Sequence, residues 1–206
     1  MKVLAISDIV IDWIYSPQIR TRFSDVNLAI GCGDLPRYYL EYIINALDIP
    51  VFYVQGNHST LLEVGDEHPY QKSQGSVDLH CKVVRYNGIT IAGVEGSLRY
   101  KEGLYQYSQL EMWLNVINIV PSMILNRIRF GRFLNIFISH APPWGIHDQP
   151  DLTHQGIKAF RWLINKFQPD YHFHGHIHVY RPDTVTQTTF AITQVINAYG
   201  YRVIEL

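Results

Sequence analysis

Five apolar runs in this chain end in a small residue followed by a side chain able to hold a metal: Ser7-Asp8, Gly33-Asp34, Gly56-Asn57-His58, Ser139-His140 and Gly175-His176-Ile177-His178. Carboxylate oxygen, amide oxygen and neutral imidazole suit divalent Mn, Fe, Co, Ni or Zn. The set contains no thiolate, which argues against a structural zinc or an iron–sulfur cluster. In open α/β sheets, ligands gather beyond the carboxyl ends of the strands, so five strand ends far apart in sequence can meet in one crevice. The glycines let backbone turn sharply and come close to the site. Taken singly each fragment is weak, because an Asp or Asn after a strand is ordinarily a turn former and a single His an interior side chain. The repetition of the pattern carries the inference.

The elements that must position these residues can be read from the apolar runs. Residues 3–6, 28–30, 51–54, 133–138 and 171–173 have the Val, Ile and aromatic content of buried strands. Residues 38–47 and 153–167 are helix-compatible, and their alternation with the strands predicts βαβ units. Residues 81–86 and 89–94, joined at Asn87-Gly88, form a predicted hairpin. Residues 184–193, 195–198 and 201–206 add strands, and a helix is expected from 107 to about 124. Each half of the chain thus brings a sheet, which suggests two stacked sheets flanked by helices. Arg127, Arg129 and Arg132 are expected at a solvated helix end and turn.

At 206 residues, 47% hydrophobic and 17% charged, the chain has material for one domain spanning residues 1–206. A formal charge of -1 supplies no field for a nucleic acid or an anionic membrane, so phosphate binding would have to be local. The run 112–125 is interrupted by Asn115, Asn118 and Pro121 and falls short of the roughly 20 residues a membrane span needs. The only cysteines are Cys32 and Cys81, and the short apolar start does not resemble a signal peptide. A cytoplasmic location is the expectation.

The order Asp, Gly-Asp, Gly-Asn-His, His, Gly-His-x-His, running from Asp8 to His178, resembles the calcineurin-like metallophosphoesterases. The resemblance implies an α/β fold, a four-layer α/β/β/α sandwich with two stacked mixed sheets. It implies two divalent transition metal ions, with Asp8 and His178 on the first, Asp34 bridging, and Asn57, His140 and His176 on the second. Water between the ions would be acidified to the attacking hydroxide. His58 would protonate or orient the leaving oxygen, giving His58 and Asp34 catalytic roles. Two positions depart from the pattern. The first motif usually reads Asp-x-His, and here Val10 replaces the second ligand, with Asp12 a possible substitute. The third motif commonly continues with an acid, and here Ser59 follows His58.

The rim loop 141–148 follows His140 directly. Trp144, Tyr100, Ser97, Tyr105 and Tyr107 are candidates to contact a base or aryl group, Arg99 to fork a phosphate, and His154 to back a ligand from a helix start. His172 and His174 share the strand parity of His176 and read as wall residues. The expected activity is hydrolysis of a phosphomonoester or phosphodiester, with a small nucleotide or cyclic nucleotide favoured over a phosphoprotein. A nuclease fits the near-neutral charge less well. The reading of a different class is a catalytically degenerate member that binds a nucleotide or a partner without turnover, motivated by Val10 and Ser59.

Overall fold

A computed structural model describes residues 1–58 and 75–206. Three strands, β1 (Lys2–Ser7), β2 (Val26–Cys32) and β3 (Val51–Val54), lie parallel and side by side. The two-residue β4 (Val77–Asp78) extends this sheet beyond β3, and β13 (Gly200–Glu205) closes its other edge antiparallel to β1. The second sheet runs in the order β11 (Gln187–Phe190), β12 (Thr193–Asn197), β10 (Tyr171–His174), β9 (Ile136–Ser139), β6 (Ile89–Val94), β5 (Lys82–Tyr86). Its central strands are parallel and both edge pairs antiparallel, so both sheets are mixed. A short pair, β7 (Ser97–Leu98) with β8 (Gln106–Tyr107), stands apart. The β5–β6 turn is the expected one: Asn87 and Gly88 both have positive φ, 45° and 84°, as the twist of a tight hairpin demands.

The layering follows from which faces the strands bury. Along β1, Val3 and Ala5 join Leu28, Ile30, Phe52 and Val54 against Ile91, Ile136, Ile138, Phe173 and Ile196 of the second sheet. The intervening Leu4 and Ile6 face the other way, onto Ile19 of α1 (Ile19–Arg22) and Tyr39, Leu40 and Ile43 of α2 (Arg37–Leu47). On the far side Ala92, Val94 and Phe137 pack beneath α3 (Gln109–Phe130) and α4 (Lys158–Phe167). Helix, sheet, sheet and helix make four layers. Both faces of the central strands are covered, which is why they read as continuous apolar runs and not as alternating ones. A fully buried Leu or Ile is worth about 1.5–3 kcal/mol over an exposed one, so burial on both faces holds these strands and their carboxyl ends in place.

Two helix boundaries depart from expectation. α3 runs past its expected end near residue 124 to Phe130, and the exposed Pro121 inside it costs one backbone hydrogen bond without forcing a break. A capping box of Ser108 and Glu111 starts this helix, and Gly131, at φ 77°, ends it. Arg127 and Arg129 therefore sit in its last turn and only Arg132 beyond it. Conversely α4 begins at Lys158 and not at residue 153. The carboxylate of Asp151 takes the backbone N–H groups of Thr153 and His154, and Asp148 takes that of Gly156, so local side-chain bonds hold this stretch out of the helix. The strand expected over 184–193 shortens to Gln187–Phe190. No helix of the described residues is long and apolar enough to cross a membrane.

Candidate metal centre

The neighbouring strands β1, β2 and β3 end in Asp8, Asp34 and Asn57-His58, and β9 and β10, paired in the other sheet, end in His140 and in His176 with His178. At three of these ends the backbone is left-handed on a non-glycine residue: Asp8 has φ 68°, Asp34 51° and His176 67°. Asp8 and His176 each centre a three-residue turn, closed by Ile9 N–H to Ser7 O and Ile177 N–H to Gly175 O, both 2.8 Å. Such positions cost of order 1–3 kcal/mol each and persist where surrounding contacts over-determine them. Here one such contact joins the two sheets and two tie neighbouring strands within a sheet. The His176 N–H donates to the Asp8 carboxylate (3.1 and 3.2 Å), the His58 N–H to Asp34 Oδ1 (2.7 Å), and the Gly175 N–H to His140 O (2.9 Å).

The glycines leave room for ligands arriving from other strands. A Cβ on Gly56 would sit 2.6 Å from Asp34 Cγ, and one on Gly175 2.6 Å from Asp8 Oδ2. Gly33, at φ 93°, leaves the same space for the His140 ring.

Hydrogen bonds determine the ring tautomers. His140 Nδ1 lies 2.8 Å from Cys32 O and His176 Nε2 2.7 Å from Thr153 O; a carbonyl only accepts, so both of these nitrogens carry the proton. With both rings neutral, that leaves His140 Nε2 and His176 Nδ1 as lone pairs 3.2 Å apart. Asn57 Oδ1 stands 3.0 Å from the same Nε2, and Asp34 Oδ2 3.3 Å. The Asn57 oxygen points inward because its amide Nδ2 donates to the Tyr100 hydroxyl at 3.2 Å. Four electron-pair donors facing one another repel unless a cation lies among them, so the donor set fits a divalent metal. The titration behaviour expresses the same demand. Burial pushes His140 down, but the adjacent Asp34 carboxylate outweighs it and carries the imidazole to about 9, so that a proton takes the cation's place. For Asp34, burial is outweighed by His140 and by the His58 N–H, which bring it to about 2. Burial raises Asp8, and burial with the nearby His140 charge lowers His176 to about 3.

Ligand atoms of Asp8, Asp34 and His140 all lie within 4.8 Å of one another. His178 stands at the rim, its side chain 42% exposed, with Nε2 3.8 Å from Asp8 Oδ1 and Nδ1 2.8 Å from the Tyr180 hydroxyl. His58 Nε2 is 3.5 Å from the Tyr100 hydroxyl, so Tyr100 links the amide of Asn57 to the ring of His58. Ser59 lies outside the described residues. Val10 is half-buried against the cluster beneath α1 and α2, and Asp12 is exposed and no part of the carboxylate–imidazole group.

The other candidate contacts divide. The His154 ring lies 5.6 Å from that of His176, but it belongs to a turn and not to a helix start, with Nδ1 2.9 Å from Asp151. Arg99 does not present a free fork: its guanidinium is bonded to both oxygens of Glu111, at 3.0 and 3.2 Å, and to Gln106 O. Trp144 lies under the Lys158 ammonium and lines a cavity of about 350 Å³ with Lys158, Arg161, Trp162, Asn165 and Phe190, none of them a candidate ligand. Tyr107 donates to the buried Glu95 at 2.6 Å, and Ser97 is wholly buried.

The sequence offered no sign of the carbonyls of Cys32 and Thr153, which set the tautomers, nor of a half-buried hydrogen-bonded chain behind the site. In that chain the Thr188 hydroxyl donates to His147 Nε2 (2.9 Å), His147 Nδ1 to His174 Nε2 (2.8 Å), and His174 Nδ1 to Gly175 O (3.0 Å). The last carbonyl fixes the direction of every bond before it. His172 donates from Nε2 to Ser139 Oγ at 2.8 Å, since the serine proton goes to Ala141 O. His172 and His174 are thus walls, as expected, and neutral ones.

Comparison with known proteins agrees with this geometry. A sequence profile of the calcineurin-like phosphoesterases matches residues 1–180, and the chain belongs to that family of metal-dependent phosphoester hydrolases. Among solved structures, the chain resembles TT1561 of Thermus thermophilus with a TM-score of 0.60 at 15% identity, over 97% of this chain and 89% of that one. A second crystal structure matches with a TM-score of 0.62 at 16% identity, over 98% of this chain and 94% of the other. At such identities the likeness speaks for the fold alone. No curated protein sequence matches the chain.

Proposed function

We propose that the chain hydrolyses a small phosphate ester, a nucleotide or cyclic nucleotide before a phosphoprotein, at a centre for two divalent cations. Asp34 would be held in common, with Asp8 and His178 completing one side and Asn57, His140 and His176 the other. The observation that carries this reading is the meeting of His140 Nε2 and His176 Nδ1, 3.2 Å apart, with the oxygens of Asn57 and Asp34, four atoms whose lone pairs face one point once a cation displaces the His140 proton. Bound there, divalent ions supply a more acidic water as nucleophile and neutralise charge growing on the phosphoryl oxygens.

The chain's own groups do the rest. The His58 N–H and the His176 N–H hold the carboxylates of Asp34 and Asp8, so little reorganisation is needed when charge develops. His58 Nε2 delivers a proton to the leaving oxygen, and the Tyr100 hydroxyl steadies the ring. A net charge of -1 favours a small ester over a polyanionic nucleic acid. Free Cys32 and Cys81 suit a reducing, cytoplasmic setting.

The test is turnover of nitrophenyl phosphate and bis-nitrophenyl phosphate by metal-stripped protein with Mn, Ni or Zn restored. Hydrolysis that returns with metal supports the reading, and the preferred ester separates monoesterase from diesterase. Metal binding with no hydrolysis of either ester would replace it with a binding role.

A further inference from the structure

α3 is apolar on two opposite faces. Met112, Val116, Ile119 and Met123 are buried beneath it. On the outer face Leu110 is 70% exposed, Leu114 54%, Ile117 51%, Ile124 46% and Ile128 76%, with Leu125 beside them at 43%. From Leu110 through Leu114, Ile117, Pro121 and Ile124 to Ile128 the steps are four, three, four, three and four residues. This is the 3.5-residue repeat of a seam between helices, and it runs for about 27 Å at 1.5 Å per residue. A helix that is hydrophobic all round is ordinarily covered on all sides.

The geometry points to a second copy of this chain as the cover, α3 against α3, antiparallel about a two-fold axis near Ile119. In that register Leu110 meets Ile128 of the second copy, Leu114 meets Ile124, and Ile117 meets Pro121, so one stripe is complementary to itself, as a two-fold interface requires. The charges select the direction. A parallel pair would bring Arg127 and Arg129 of both copies together, whereas the antiparallel pair sets the two basic turns at opposite ends of the seam. The border of the stripe also distinguishes this partner from a lipid surface. An interfacial helix is rich in Lys and Arg along its polar face, but here Asn115, Asn118, Ser122 and Asn126 flank the stripe and the cations are confined to the last turn. The inference does not depend on the chemistry of the metal centre.

Sedimentation of the full chain across micromolar concentrations tests it. A dimer is expected, with Leu114→Asp and Ile117→Asp shifting it to monomer by at least tenfold in dissociation constant and leaving circular dichroism unchanged, since both positions are exposed. A cysteine pair guards against variants that misfold. In a Cys81→Ser background, Asn118→Cys, near the axis, should cross-link to its counterpart on mild oxidation and Ile128→Cys should not. A wild-type protein that stays monomeric, a dimer that survives both Asp variants, or cross-linking through Ile128→Cys each overturns the proposal. A monomer that binds phosphatidylserine vesicles through these residues also overturns it and gives the face to lipid.

Discussion

Gly56 lacks a side chain where Asp34 occupies the space that a Cβ would fill, 2.6 Å from Asp34 Cγ. Gly56→Ala is expected to push this carboxylate aside and weaken metal affinity by about tenfold or more, the scale on which supporting groups act. Calorimetric titration with Mn measures it; unchanged affinity would show that Asp34 has other room. His58 makes a different kind of contribution, because its ring lies beside the ligands and not among them. His58→Ala should slow esters with poor leaving groups by about 100-fold or more and nitrophenyl esters far less, since a good leaving group scarcely needs a proton. Metal content should stay level. Equal loss along a leaving-group series would assign His58 to orientation instead. At this scale the grouping of Asp8, Asp34 and His140 was legible, because few residue types can bind a metal and here they recur at strand ends. The carbonyls of Cys32 and Thr153 were not, because every residue has one and only the fold decides which of them faces a ring.

The central strands were legible as elements for the reason that makes them rigid: both faces are buried and the apolar runs are unbroken. Helix ends were less so, since Asp148 and Asp151 compete locally for backbone N–H groups before α4, and α3 meets no strong stop until Gly131. The turn after β1 is where element and ligand set diverge from the family pattern. Val10 packs into the cluster beneath α1 and α2, and exposed Asp12 is no part of the carboxylate–imidazole group, so in the proposed centre the Asp8 side would be a donor short. Val10→His should lower the free Mn needed for half-maximal activity by about tenfold, with no gain at saturating metal. An unchanged midpoint, together with a large rightward shift in Asp12→Ala, would give the vacancy to Asp12.

For the molecule as a whole, β10 and the loop after β9 hold several neutral imidazoles. Burial lowers His172 to about 3 and His147 to about 4, and holds His174 well below the usual 6.5. An unfolded chain takes up those protons near 6.5 and the folded one does not, so the unfolded state binds more protons between these values and stability falls as pH drops below 6.5. Metal-free protein should therefore lose stability steadily from pH 6.5 downward. His172→Phe, which keeps the contact with Phe137, should flatten that slope by about 1.4 kcal/mol per pH unit, one proton's share. Denaturant titrations at several pH values measure it, and an unaltered slope would mean that His172 gains its proton without unfolding. Residue, element and whole molecule meet in the claim that Asp34 serves two cations at once. Its most direct test is elemental analysis of metal bound per chain after reconstitution with Mn, in wild type and in Asp34→Ala. The account predicts two ions in the wild type, and loss of both with activity in the variant while circular dichroism is kept; two ions still bound in an active Asp34→Ala protein would contradict it.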